Sequence, residues 1–228
     1  MVTMPPLPAN GQPDTQPLVG AELPARWFET TAGLALLDSE YPAIVEALDE
    51  RPGQPWLWLG PVAPAAGLEG HGLHLTPAGG DWSGSVRCGA TWPLASESVT
   101  CIVAQHVIGD RRRSAAVLDE CARVLLPGGR LWLFALNPLA PYRWRWRGHG
   151  LSASEPLTWR RRLRAAGLSP DPVSKGIGPT WQVGQAAQLQ DGPGLRAAYL
   201  IRAEKRALPL TPIRQRRPLR LAGGLPAG

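Results

Sequence analysis

Residues 86–138 read VRCGATWPLASESVTCIVAQHVIGDRRRSAAVLDECARVLLPGGRLWLFALNP, and the fold class follows from them. Within this stretch, 98–108 is almost continuously apolar, the pattern of a strand covered on both faces. Over 114–126 the period changes: Val117, Leu118, Cys121, Val124 and Leu125 return on one helical face. Asp119 stands four residues before Arg123, a favourable helix pair. The PGG at 127–129 stops that helix, and 130–138 reads as another buried strand. Strand, helix and strand in direct succession imply a parallel pair with its crossover.

The same alternation extends outward. WLWLG at 56–60 is a short buried strand, GLHLT at 72–76 a weaker one and SVRCG at 85–89 a third. Before them, Leu34, Leu37, Tyr41, Ile44, Val45 and Leu48 form an apolar stripe, which Pro42 divides into two short helices. After residue 138, 154–168 reads as a helix with Pro156 in its first turn and Gly167 just past its end. SASE at 152–155 fits its capping box. Stretches 170–178 and 195–206 give two closing strands with no helix between them, hence an antiparallel pair. The expectation is an α/β sandwich, a mostly parallel sheet with helices on both faces.

The 228 residues divide as a flexible, Pro-rich segment at 1–23, one domain at 24–206 and a basic, Pro-rich flexible tail at 207–228. No apolar run reaches the roughly 20 residues that span a bilayer, and the N-terminus lacks the basic and apolar regions of a secretory signal. The expected compartment is the cytoplasm. Three scattered cysteines, Cys88, Cys101 and Cys121, make no disulfide framework and read as small buried apolar residues. His71 and His74 have no third ligand in view, so no metal site is expected. The net charge of +6 is unevenly placed: residues 1–139 carry 8 basic and 14 acidic side chains, residues 140–228 carry 16 and 4. The second part is therefore +12, and an anionic partner for it is one expectation.

Residues 86–138 also resemble the type-11 family of class I S-adenosylmethionine (SAM) dependent methyltransferases. The resemblance rests on Ala90, Pro93 and Leu94 in the loop after the third strand, and on Ser98 and Val99 at the next strand's start. It continues through His106, Val107 and Ile108 and the helix–RVLLPGG–strand piece at 118–131. WFETTAGLALL, FALNP and EKRALPLTPIR look closest to a divergent bacterial branch of short methyltransferase-like proteins. The resemblance implies a Rossmann-like sheet of seven strands, order 3-2-1-4-5-7-6, with strand seven antiparallel at one side.

It further implies SAM as cofactor, held by a glycine-rich turn after strand one and an acid closing strand two. On this sequence the positions are Gly60 and Pro61, then Thr76, then Ala90 and Thr91 after strand three, with Gln105 at the end of strand four. Several depart from the pattern: Pro61 and Val62 stand where a second glycine belongs, and Thr76, Gly89 and Thr100 replace carboxylates. His106 is the candidate base beside the cofactor, and Asn137 at the end of strand five a candidate substrate contact.

PYRWRWRG at 141–148 alternates arginine with aromatics. If extended, it puts Arg143, Arg145 and Arg147 on one face, with Tyr142, Trp144 and Trp146 on the other. Tyr142, Arg143 and Trp144 are then candidates for a flap over the acceptor, for stacking and phosphate contact on single-stranded nucleic acid, for an interfacial membrane patch, or for a plain surface segment. Two functions fit the whole: SAM-dependent methyl transfer to an unidentified acceptor, or a cofactor-free module contacting nucleic acid or another anionic partner. A cleft lined by Gly60, Ala90 and Gln105 favours the first; one filled by Trp56, Trp82 or Trp92 favours the second.

Overall fold

The computed structural model describes residues 23–63, 70–109, 111–181 and 189–206. The expected flexible segment and tail lie outside them, apart from Leu23. A short helix, α1 (Leu23–Phe28), turns at Thr30 into α2 (Thr31–Asp49). Thr30 caps α2 by accepting from the Gly33 amide at 3.2 Å. The strands are β1 (Trp56–Leu59), β2 (Gly72–Ala78), β3 (Asp81–Gly84) and β4 (Val99–Gln105), followed by α3 (Arg111–Val124) and β5 (Leu125–Leu136). A 3-10 turn at Pro141–Arg145 and α4 (Pro156–Ala165) come next. The chain closes with β6 (Ser169–Pro170), β7 (Lys175–Ile177), β8 (Gln190–Asp191) and β9 (Ala198–Glu204).

One sheet holds every strand, in the order β3-β2-β1-β4-β5-β9-β7-β8, with β6 also on β9. β2, β1, β4 and β5 are parallel, and β9 runs antiparallel between β5 and β7. From β2 to β7 the strand order is the implied one, but the sheet has nine strands rather than seven, and β3 and β8 run antiparallel to their neighbours as well as β9. Alternate side chains go to opposite faces. Trp56, Trp58, Cys101, Val103, Trp132 and Phe134 pack under α1 and α2. Leu57, Leu59, Ile102, Ala104, Leu131 and Leu133 pack with residues of α3 and α4. Two apolar cores thus sandwich a sheet whose central strands are buried on both faces, as 98–108 and 130–138 predict.

The structure differs from the sequence expectation at several points. Residues 31–49 are one helix with Pro42 inside it, not two. The bond that Pro42 cannot donate would go to the carbonyl of Asp38, and both residues are exposed, so water can take that carbonyl. The buried face of α2 is Gly33, Leu36, Glu40, Ala43, Ile44, Ala47 and Leu48, while Leu34 and Tyr41 are exposed. The expected third strand at 85–89 is instead β3 at 81–84, antiparallel to β2, with Cys88 bridged to Trp82. Gly79 and Gly80, at φ 60° and 117°, supply the tight reversal that makes β2 and β3 a hairpin. Arg123 pairs with Glu120 at 2.6 Å rather than with Asp119. Ser152 donates to the Gly109 carbonyl at 2.6 Å, and Glu155, the N-cap of α4, makes no side-chain cap bond. Cys101 and Cys121 are buried as expected, and Cys88 is half-buried.

Candidate functional site

The carboxyl ends of β1, β2 and β4 come into register. Leu59 lies beside Leu75 on one side and Ala104 on the other, so Gly60, Thr76 and Gln105 follow on three neighbouring strands. This is where a doubly wound sheet places its ligand. At Gly60 an added Cβ would stand 3.1 Å from His74 Nε2 and 3.1 Å from Trp58 Nε1, with the Val62 carbonyl at 3.3 Å. The two nitrogens are buried and have no hydrogen-bond partner. Trp58 and His74 meet edge to face, ring centres 5.5 Å apart. Burial pushes the His74 imidazole below its ordinary pKa; the nearby Val62 carbonyl opposes this weakly without meeting hydrogen-bond geometry at Nε2.

Two of the three in-register residues are already engaged. Thr76 Oγ1 lies 3.1 Å from both the Ser83 carbonyl and Ser83 Oγ, so its hydroxyl ties the β2–β3 hairpin together. Gln105 Nε2 donates to Glu40 Oε2 at 2.8 Å. His106 Nε2 lies 2.8 Å and 3.0 Å from the two oxygens of the same carboxylate. The side chains of Glu40 and His106 are 0% and 1% exposed, so the pair is dry. His106 leaves β4 at φ 55°, a left-handed conformation that turns its ring back under α1, where it stacks on Phe28 at 5.2 Å. Nδ1 of this ring is buried with no partner. Donation from Nε2 to the carboxylate leaves Nδ1 with a free lone pair.

Glu40 was not among the residues singled out from the sequence. Its signal is a carboxylate on the buried face of α2, four residues from both Leu36 and Ile44, a position that only a paired acid occupies.

The other expected site residues are placed differently. Pro61 adjoins Gly60 in the partly buried start of the crossover. Ala90 and Thr91 are exposed, in the short span between bridged Cys88 and Trp92, whose amide donates to Glu120 at 2.7 Å. Asn137 is buried; Nδ2 donates to the carbonyls of Gly194 and Arg196 at 3.0 and 2.9 Å, and Oδ1 accepts from the Leu139 amide. Tyr142 is buried and donates to the Ala32 carbonyl at 3.0 Å. Both therefore brace the fold instead of offering polar atoms to a substrate. Residues 141–148 do not alternate faces: the 3-10 turn buries Tyr142 and Trp146 and leaves Arg143, Trp144, Arg145 and Arg147 exposed.

The three tryptophans that could fill a cleft sit in the cores. Trp56 lies on Gly72, and Trp82 meets Trp92 edge to face at 5.9 Å on the opposite side of the sheet. Trp58 and His74, rather than any of these, stand nearest the Cβ position of Gly60. Among the described residues, no group of three or more His, Cys, Asp or Glu side chains is placed to hold a metal ion. Among them also, no helix is long and apolar enough to cross a membrane.

Residues 82–133 match the methyltransferase domain family. The match runs from β3 into β5 and stops short of β1 and β2, where the cofactor positions depart from pattern. A search of curated protein sequences finds no match. Among solved structures, the chain is similar to a SAM-dependent methyltransferase from Thermotoga maritima, with TM-score 0.55 and 18% identity over 79% of this chain and 94% of that one. It is also similar to a SAM-dependent methyltransferase from Archaeoglobus fulgidus, with TM-score 0.50 and 11% identity over 78% and 96% of the two chains. The protein thus has the fold of these SAM-dependent methyltransferases, and its residues 82–133 match the methyltransferase domain family.

Proposed function

We propose that this protein is a SAM-dependent methyltransferase, holding its cofactor at the carboxyl ends of β1, β2 and β4. The observation that carries the reading is the pair of buried, unpartnered nitrogens of Trp58 and His74 beside Gly60. Buried polar atoms without partners are rare, and at this edge they fit a group that brings oxygens with it. The donor set suits the carboxylate of the methionine part; the ribose hydroxyls find Thr76 where a carboxylate would hold them. Bound there, SAM supplies an electrophilic methyl group on a sulfonium. The chain's own work is to align the acceptor and exclude water, which supplies most of the acceleration in an in-line displacement.

In this reading His106, whose ring is buried under α1, serves as the base for an acceptor that reaches its Nδ1. Its Nε2 is held by Glu40 and its Nδ1 lone pair is free. Glu40 and Gln105 orient it. The acceptor is unassigned: with Asn137 and Tyr142 braced internally, Arg143 and Trp144 are the remaining side chains of the expected acceptor segment.

The second reading is a cofactor-free module, favoured by the internal engagement of Thr76 and Gln105. A thermal-shift series with S-adenosylhomocysteine separates the two. A ligand at 100 times its Kd adds about 2.7 kcal/mol to the folded state, so Tm should climb with concentration. An unmoved Tm up to millimolar ligand favours the module.

A further inference from the structure

Eight of the ten tryptophans are buried; the two that are not, Trp144 and Trp181, are 71% and 63% exposed. Both lie at the carboxyl edge of β5 and β7. Arg145 Nη2 donates to the Trp181 carbonyl at 3.4 Å, so the two segments are in contact. Leu139, 71% exposed, and Leu195, 56% exposed, rise from the same edge. Asn137 holds their backbones together, accepting from the Leu139 amide and donating to the carbonyls of Gly194 and Arg196 on either side of Leu195. A depression of about 500 Å³ runs between Pro138, Leu139, Pro141, Arg143, Trp144 and Arg147.

Around these apolar side chains the charge has one sign. Arg143, Arg145 and Arg147 are exposed, and among the described residues none is paired with an acid. No Asp or Glu occurs from 137 to 154 or from 172 to 190. The exposure is built in. Tyr142 and Trp146 are buried, Tyr142 bonds the Ala32 carbonyl, and Trp27 Nε1 donates to the Arg145 carbonyl, so the turn is pinned with Trp144 outward. Two leucines and two tryptophans exposed together, ringed by arginine, are what a soluble fold normally avoids.

We propose that this rim is a docking surface for an anionic lipid bilayer. Tryptophan and leucine enter the boundary between headgroups and acyl chains, while the arginines meet lipid phosphates. Single-stranded nucleic acid is the less suitable partner. Leucines offer no face on which a base can stack, and the Arg147 guanidinium already lies 5.0 Å over the Trp144 ring.

The test is flotation of the full chain with vesicles of phosphatidylcholine containing about one-third phosphatidylglycerol, against pure phosphatidylcholine. Binding to the anionic vesicles is expected, falling as salt rises. Replacing Arg143, Arg145 and Arg147 together with Gln should weaken it on the order of 100-fold, at about fivefold per charge. Trp144→Ser with Leu139→Ser should abolish it, with the circular dichroism spectrum and Tm unchanged because both side chains are exposed. The proposal is overturned if the anionic vesicles do not bind, or if these variants float like the parent. Retention of a single-stranded RNA oligonucleotide, lost in the same variants while vesicles are ignored, overturns it in favour of nucleic acid.

Discussion

His106 Nε2 rests 2.8 Å from Glu40 Oε1, joining the end of β4 to the middle of α2 inside a region closed to water. The sheet and the helix meet here through charge and hydrogen bonds amid apolar contacts, with Gln105 as the third member. Removing one partner of such a buried set leaves the others unsatisfied. Glu40→Leu should therefore lose about 3 to 5 kcal/mol in urea unfolding, and Glu40→Gln, which keeps an oxygen acceptor, markedly less. Equal losses in the two variants would count against the pair.

Glu120 takes three hydrogen bonds, from Arg123 Nε and Nη2 and from the Trp92 amide. The Arg123 hydrogen bonds, aided by the Trp92 amide, hold its carboxyl below the usual range, against a lesser effect of burial. A lowered carboxylate contributes stability that is complete above its unfolded value of about 4.3 and lost as the pH falls through its folded value. Glu120→Gln should cost about 1 to 3 kcal/mol at pH 7 and flatten the acid limb of the stability curve. A variant whose acid limb overlays the parent's would refute this role.

His74 behaves in the same direction for a different reason. Burial lowers its pKa, so the fold holds it neutral and the unfolded chain takes up the proton first as pH drops below about 6.5. Stability should decline from there toward more acidic pH, and His74→Leu should remove that part of the slope. Chemical denaturation at pH 7.5, 6.5 and 5.5 reads it directly.

Gly33 lies where α1 turns into α2. A Cβ there would sit 2.3 Å from the Trp27 carbonyl oxygen and 2.5 Å from Phe28 Cα, both backbone atoms that cannot swing aside. Gly33→Ala should cost about 1 to 3 kcal/mol and disturb the Phe28 ring stacked on His106. An unchanged denaturation midpoint would mean that this corner yields more easily than its contacts imply.

The parts of the fold legible in the sequence are those where burial is two-sided. Residues 98–108 and 130–138 announce central strands because nearly every position is apolar, and 114–126 announces its helix by period. Less legible were elements set by backbone geometry. β3 depends on Gly79 and Gly80 reversing the chain, and the pattern at 85–89 competes with it. At the site, Gly60 and Gln105 stand at the ends of β1 and β4 and Thr76 lies within β2 between them and the hairpin turn, on neighbouring strands. Glu40 was hidden because its partners are 65 and 66 residues away, and no local period shows such a contact. Asn137 and Tyr142 looked like substrate contacts because their backbone partners also lie far off in the chain.

Isothermal titration of the full chain with SAM and with S-adenosylhomocysteine addresses cofactor binding at the β1, β2 and β4 ends most directly. Saturable heat with one site per chain is predicted, and Gly60→Leu, which drives a side chain onto His74 and Trp58, should abolish it while the protein stays folded. No heat from the parent protein at millimolar ligand would contradict the methyltransferase reading.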